Sequence, residues 1–110
     1  MPHYLFQLSY TSEATKAMIT SPSDRKAVAI KLIEALGGKL HDMYFCFGEY
    51  DVVCLIDGPD DKMMAAGALA VAAGGGISKS NTIKLMTVDD AMTAMAMAGK
   101  AIGAYNPPAG

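Results

Sequence analysis

The chain begins with a segment, residues 3–10, in which large apolar side chains occupy every second position. These side chains are Tyr4, Phe6, Leu8 and Tyr10. Strict alternation is typical of a β-strand that buries one face. We therefore predict a first strand over residues 3–10.

Apolar positions then recur at helical spacing up to Gly37, with a break at Pro22. Thr11 stands where a first short helix would begin, and the residue before Pro22 avoids helical geometry. The helix is predicted to restart with Ser21 as its N-cap and Pro22 at its first position. Gly37 and Gly38 then end it.

Residues 39–48 and 51–57 have the pattern of a β-hairpin around a short turn. Their apolar residues follow one another directly instead of alternating. A continuous apolar run is typical of a strand that is buried on both faces. We therefore expect both strands of the hairpin to be covered on two sides.

The residues after the hairpin predict a helix, a strand and a final helix. The helix from Pro59 to Ala73 is small and apolar nearly all round, so we expect it to be enclosed. A strand over residues 81–87 follows, and Thr87 is placed to cap the last helix. That helix has an apolar stripe: Met92, Met95, Ala98, Ile102 and Tyr105.

The order of elements predicts an α+β domain with a βαββαβ sheet, over residues 1–105, and a loose tail over residues 106–110. Right-handed crossovers place both crossover helices on one face of the sheet, which leaves the other face of the hairpin strands bare. Either the C-terminal helix or another subunit must cover it. We expect a homodimer or a higher homo-oligomer.

The composition limits the kinds of partner that we expect for this chain. Charged residues make up only 18% of the 110 residues, the net charge is −2, and no basic run exists, so no nucleic acid is expected. The most apolar window, residues 63–77, is too short to cross a bilayer, so we expect no membrane partner. The two cysteines and the lack of an export signal predict a cytoplasmic location.

Two groups of residues are candidates for ligand binding. Tyr10 and Thr11 end the first strand beside a helix N-terminus, and Arg25 could add a cation there. An anion could bind at this place. The alternative is that Thr11 simply caps the helix. Tyr50 and Asp51, in the turn over residues 48–51, could form a polar pair at a pocket mouth; we favour a structural role for this turn.

Metal and cofactor signals are weak. His3 and His41 lie on separate strands without the spacing of a metal motif, and the only nearby carboxylate in sequence is Asp42. The glycine run at residues 74–76 lacks the lysine of a phosphate-binding loop. We expect no metal and no cofactor, and the methionines fit packing or subunit contacts better.

Three segments together resemble the GYD domain family: residues 4–11, 36–40 and 47–53. Residues 23–25 and 69–75 fit the same pattern. The resemblance implies a ferredoxin-like fold of the dimeric α/β-barrel group, in which two sheets face each other through their helix-free sides. It implies no established catalytic residues, and the last helix departs from the family pattern.

We therefore hypothesise a small organic ligand bound between helix-free sheet faces. Its walls would include Tyr4, Tyr44, Phe45, Phe47 and Tyr50. The alternative is a non-catalytic assembly or regulatory module that docks through its apolar helices. Nothing in the residue pattern assigns a reaction.

Overall fold

A four-stranded antiparallel sheet in the order β2-β3-β1-β4 organises the chain, in a computed structural model that describes residues 1–109. The elements are β1 (His3–Tyr10), α1 (Ser12–Thr20), α2 (Arg25–Ala35), β2 (Lys39–Phe45), β3 (Val52–Asp57), α3 (Asp61–Ala73), β4 (Ile77–Leu85), α4 (Val88–Ala101) and a 3₁₀ turn (Ile102–Ala104). This arrangement confirms the predicted α+β, ferredoxin-like fold.

The register of β1 defines the two ends of the sheet. At one end His3 lies opposite Asp57 of β3 and Leu85 of β4. At the other end Leu8 lies opposite Val52, where the β2–β3 hairpin turns. Because α4 follows directly after β4, it leaves the sheet at the His3 end, far from the hairpin.

The core lies between one face of the sheet and the helices. Alternate residues of β1 supply its centre, as the sequence predicted. The buried apolar residues are Tyr4, Phe6, Leu8, Ile33, Leu40, Val52, Cys54, Ile56, Met63 and Met64. Burying each of the larger side chains stabilises the fold by roughly 1.5–3 kcal/mol, so this face supplies most of the packing energy.

Two predicted boundaries were wrong. α2 begins at Arg25, because the carboxylate of Asp24 accepts a hydrogen bond from the Ala27 amide at 3.1 Å and is the N-cap in place of Ser21. A carboxylate at this position also stabilises the positive end of the helix dipole. β4 begins at Ile77, because its pairing with β1 extends to Tyr10. The predicted Thr87 cap of α4 is confirmed.

The expected enclosure of α3 was also wrong within the described chain. Only Met63, Met64 and Gly67 of this helix are buried, and Leu69 is exposed. A helix that lies on the surface of a sheet touches it with one side, so small apolar residues on its other side stay in solvent. The far side of α3 remains available for contacts.

The second face of the sheet carries no helix. Leu5 lies opposite both Leu55 and Ile83 there, and the last two side chains are exposed. The predicted burial of the hairpin strands on both faces therefore does not occur within residues 1–109. α4 does not cover this helix-free face either, because none of its residues is buried.

α4 gives the molecule its length. The principal extents are 60 × 36 × 21 Å, and the radius of gyration is 18.1 Å. A compact domain of this size has a radius of gyration of about 13 Å. Among the described residues, no helix combines the length and apolar character needed to cross a membrane.

Two matched substitutions test whether the core lies on one face of the sheet. Ile56→Ala should lower the free energy of unfolding by about 2–4 kcal/mol, because Ile56 is 3% exposed and its removal leaves a cavity. Ile19→Ala, at a position 74% exposed, should change it by less than about 0.5 kcal/mol. Urea denaturation measures both, and equal losses would contradict the one-sided core.

Candidate functional site

A cavity of about 110 Å³ lies between the sheet and the helices α2 and α3. Phe6 and Leu8 of β1 form its floor, Ile33 of α2 lies on one side, and Met63 and Met64 of α3 lie on the other. These walls are almost entirely apolar. A cavity of this kind holds a small apolar group and stays dry when empty.

Tyr10 and Arg25 are also among the residues that line this cavity. Arg25 is the first residue of α2, directly after the Asp24 cap, and within residues 1–109 it forms no salt bridge. The Tyr10 ring stacks on Phe45 with 6.3 Å between ring centroids. Two of the predicted ligand-binding residues therefore meet at one cavity.

This combination fits an apolar molecule that carries a negative group. The walls accept the apolar part, and a planar guanidinium at the start of a helix pairs with a carboxylate. The cavity lies on the helix-covered side of the sheet, opposite to the helix-free face where the sequence placed the ligand.

Thr11 and Asp51 use their side chains in backbone hydrogen bonds. The Thr11 hydroxyl accepts from the Ala14 amide at 3.1 Å and caps α1. A carboxylate oxygen of Asp51 accepts from the Tyr10 amide at 2.9 Å, and the Asp51 amide donates to the Leu8 carbonyl. Asp51 thus ties the hairpin turn to the end of β1.

Tyr44 and Tyr50 lie away from the cavity. Tyr44 is exposed on β2, and the Tyr50 ring lies 4.8 Å from the Lys79 ammonium in a cation–π contact. Gly48 begins the intervening turn with a φ of +107°, which glycine adopts without strain. Of the six predicted residues, Tyr10 and Arg25 line the cavity and the other four do not.

The helix-free face carries a cluster of His3, His41 and Asp57 that the sequence did not predict. His41 Nε2 donates to one oxygen of Asp57 at 2.7 Å, and His3 Nδ1 donates to the other. The β2–β3 register shifts between Leu40 and Asp42, so His41 is the extra residue of a bulge. His41 and Asp57 are 16 residues apart in the sequence, so only the strand pairing shows that their side chains meet.

The two imidazoles keep Asp57 ionised. The hydrogen bond from His41 lowers the pKa of Asp57 most, and that from His3 acts in the same direction against the effect of burial. Within the part of the chain that the structure describes, no three His, Cys, Asp or Glu side chains are arranged to hold a metal ion. The cluster joins β1, β2 and β3 at one end of the sheet.

Two other titratable groups are held in inactive forms. The hydrogen bond to Asp61, 2.6 Å long, is the main reason that the pKa of Tyr4 rises to about 12. Burial raises the pKa of Cys54 to about 11, so its thiol is neutral and unreactive at pH 7. Cys46 and Cys54 are both free; Cys54 is buried, whereas Cys46 is half-buried.

The Asp57 cluster predicts a pH-dependent contribution to stability. Asp57→Asn should lower the free energy of unfolding at pH 7 by about 1–3 kcal/mol, because it replaces two charge-assisted hydrogen bonds with weaker ones. A carboxyl with a lowered pKa contributes its full stability above its unfolded value of about 3.9 and loses it as pH falls through its folded value, so the difference should begin to shrink near about pH 4 and vanish at lower pH.

The matched control is Asp42→Asn, an adjacent carboxyl on β2 outside this cluster. Chemical denaturation from pH 3 to pH 8 should show no comparable loss for this control. A loss of the same size for both variants would refute the special role of Asp57.

Comparison with known proteins agrees with this geometry. The model of the GYD domain matches residues 4–95, and no curated protein matches the chain. The crystal structure of FFRP-DM1 is 13% identical, with a TM-score of 0.55 over 78% of this chain and 100% of that one. The structure of MtbAldR is 14% identical, with a TM-score of 0.54 over 78% of this chain and 52% of that one, so the chain spans about half of MtbAldR.

At these identities the two structures show the shared α+β fold alone. The family model, by contrast, covers most of the chain and includes the turn of residues 48–51, where Asp51 ties the hairpin to β1. The chain therefore belongs to the GYD domain family.

Proposed function

We propose that residues 1–105 form a single homodimeric domain that binds a small apolar anion, such as an aromatic carboxylate. The observation that supports this proposal is the apolar cavity beneath α2 and α3, with Arg25 and Tyr10 among its lining residues. The carboxylate pairs with Arg25, the Tyr10 hydroxyl donates a hydrogen bond, and the ring enters the apolar space. No step of bond chemistry is assigned.

The size of the cavity limits the ligand. A dry cavity of roughly 150 Å³ binds benzene in another protein, so about 110 Å³ suits a single aromatic ring or a short branched chain. α2 covers the space loosely, because Ile33 is its only buried residue. A ligand can therefore enter by a small displacement of this helix.

The homodimer places the helix-free faces of two copies against each other. Leu5, Leu55 and Ile83 form an apolar centre on this face, and burying such area stabilises a complex by about 25 cal/mol per Å² before the costs of association. A ligand between these two faces is the competing location. The free cysteines support a reducing, cytoplasmic compartment.

Binding of benzoate and toluene to methyl-labelled protein tests the proposal. Benzoate should shift the NMR signals of Met43, Met63 and Met64, which line the cavity, and leave Met95 and Met97 of α4 unchanged. Arg25→Met should weaken benzoate binding about tenfold or more, since it removes a charge-assisted hydrogen bond. Toluene affinity should stay within about twofold, because the apolar walls remain.

Lys26→Met is the matched control, because Lys26 is an exposed cation next to Arg25 that does not line the cavity. It should leave benzoate binding unchanged. Shifts at Leu5, Leu55 and Ile83 in place of the cavity methionines would move the ligand to the helix-free face. If benzoate and toluene shift no methyl signal to saturation, neither molecule binds, and the proposed binding site is refuted.

The second candidate function is an assembly or regulatory module without chemistry of its own. The observation that favours it is α4, an apolar helix with no buried residue. Such a module would use α4 for docking and leave the cavity unused. It predicts that removal of α4 abolishes assembly while the benzoate experiment gives no response.

A further inference from the structure

The ligand cavity has two different ends. α2 runs toward Gly38, where β2 begins opposite Asp57, so its first residue, Arg25, lies toward the other end of the sheet. β1 starts opposite Asp57 and finishes at that other end with Tyr10. Ile33 lines the cavity eight positions after Arg25, which is about 12 Å along the helix at 1.5 Å per residue. The cavity therefore runs along α2 from Arg25 toward Ile33.

Met63 closes the end that is distant from Arg25. Its side chain lies in a notch between two glycines, which have no side chains of their own. A Cβ atom at Gly58 would lie 2.7 Å from the Met63 sulfur, and one at Gly38 would lie 2.6 Å from the Met63 methyl carbon. The same position at Gly38 is 3.1 Å from a methyl carbon of Ile33, so Ile33 and Met63 meet at this notch.

The two glycines differ in what an added methyl group would displace. At Gly38 it would also meet the carbonyl oxygen of Asp57 at 2.6 Å, so the backbone would have to move. At Gly58 the nearest atom besides Met63 is a ring carbon of Tyr4 at 3.5 Å, an ordinary contact, and φ is not positive. Gly58→Ala therefore displaces the Met63 thioether and leaves the backbone in place.

The cavity is the space that can receive the displaced thioether. Met63 is 6% exposed and lies in the close-packed core, so solvent is not next to its tip. Its unbranched side chain turns about three rotatable bonds and adapts to a new position. Met63 borders the cavity, so the thioether moves into it and shortens it.

The distance between the two ends limits the length of a ligand. Of the roughly 12 Å along α2, about 4 Å is taken up by van der Waals contact at the ends. An extended chain of single bonds advances roughly 1.2 Å per bond. The remaining ~8 Å then holds about six bonds, which is the length of hexanoate. A straight chain is narrower than a ring and uses this length within the same volume.

We propose that Met63 sets the maximum length of the bound anion, that Gly58 positions Met63, and that the ligand is a straight-chain carboxylate. The proposal rests on the anion-binding cavity of the proposed function and names the ligand class of that same cavity. The carboxylate lies toward Arg25, and the end of the chain contacts Met63.

A series of straight-chain acids from butanoate to decanoate tests the proposal by NMR titration. The Met43 methyl signal reports binding, because Met43 lines the cavity on β2, outside the notch. Each added methylene should tighten binding by up to about fourfold until the chain reaches Met63. Hexanoate should therefore bind most tightly, and octanoate should bind more weakly than hexanoate.

Substitutions at the closed end should move this optimum in opposite directions. Gly58→Ala should shift it to pentanoate or shorter, because the Met63 thioether enters the cavity. Met63→Ala should shift it to octanoate or longer, because the closed end opens. The double variant should have the optimum of Met63→Ala, since Gly58 acts only through Met63.

Gly99→Ala is the matched control. An added Cβ at Gly99 meets nothing within 4 Å, and Gly99 lies on α4, outside the cavity. This control should leave the optimum at hexanoate. A crystal structure of the Gly58→Ala variant should show the Met63 thioether inside the cavity.

The outcomes separate this proposal from the proposed function. An optimum that is the same in Gly58→Ala, Met63→Ala and the wild type overturns the role of Met63 and leaves anion binding intact. Binding of benzoate without binding of any straight-chain acid refutes the ligand class alone. If neither benzoate nor any acid shifts the Met43 signal, both proposals are refuted.

Folding of the variants is checked by urea denaturation. If Met63→Ala does not fold, Met63→Leu takes its place, because it nearly conserves the side-chain volume, and it should lengthen the optimum by about one carbon. A Gly58→Ala chain that does not fold overturns the proposal, because Met63 then cannot yield into the cavity.

Discussion

The packing of a small antiparallel sheet against helices on only one of its faces governs the rest of this molecule. α2 and α3 are both crossover helices, and the right-handed crossover rule places them on the same side. The buried residues of β1 and β3 meet them there and form the core. The other face is left with apolar side chains and no cover from residues 1–109, and it is the surface through which we propose that the chain self-associates.

Strand β1 connects the two faces, since it lies in the interior of the sheet. Tyr4, Phe6 and Leu8 enter the core, and Tyr10 joins the last two at the cavity. Leu5 and His3 belong to the helix-free face. The apolar cavity and the His3–Asp57–His41 cluster are therefore separate features on opposite sides of one strand. A ligand beneath α2 and an interface on the helix-free face do not compete for the same surface.

Local patterns were sufficient where a residue acts on its close neighbours. Alternation predicted β1, and Thr87 was correctly placed as the cap of α4, because both depend on residues a few positions apart. Three short segments were also sufficient to identify the GYD domain family: residues 4–11, 36–40 and 47–53. The uncovered sheet face followed from the order of elements, because crossover handedness is a general property of the polypeptide chain. Ser21 was predicted as the N-cap of α2 because Pro22 follows it and suits the first helical position; the path of the backbone makes Asp24 the cap instead.

Only the tertiary structure decided which distant residues meet. The pairing of Asp57 with His3 and His41 requires the β1–β3 register and a bulge in β2, and neither is encoded in a local pattern. The sequence grouped Tyr10 with Arg25, but the apolar cavity that both residues line depends on how α2 and α3 pack on the sheet. Sequence periodicity tells which side chains avoid water, whereas the space left between packed elements depends on all of their side chains together.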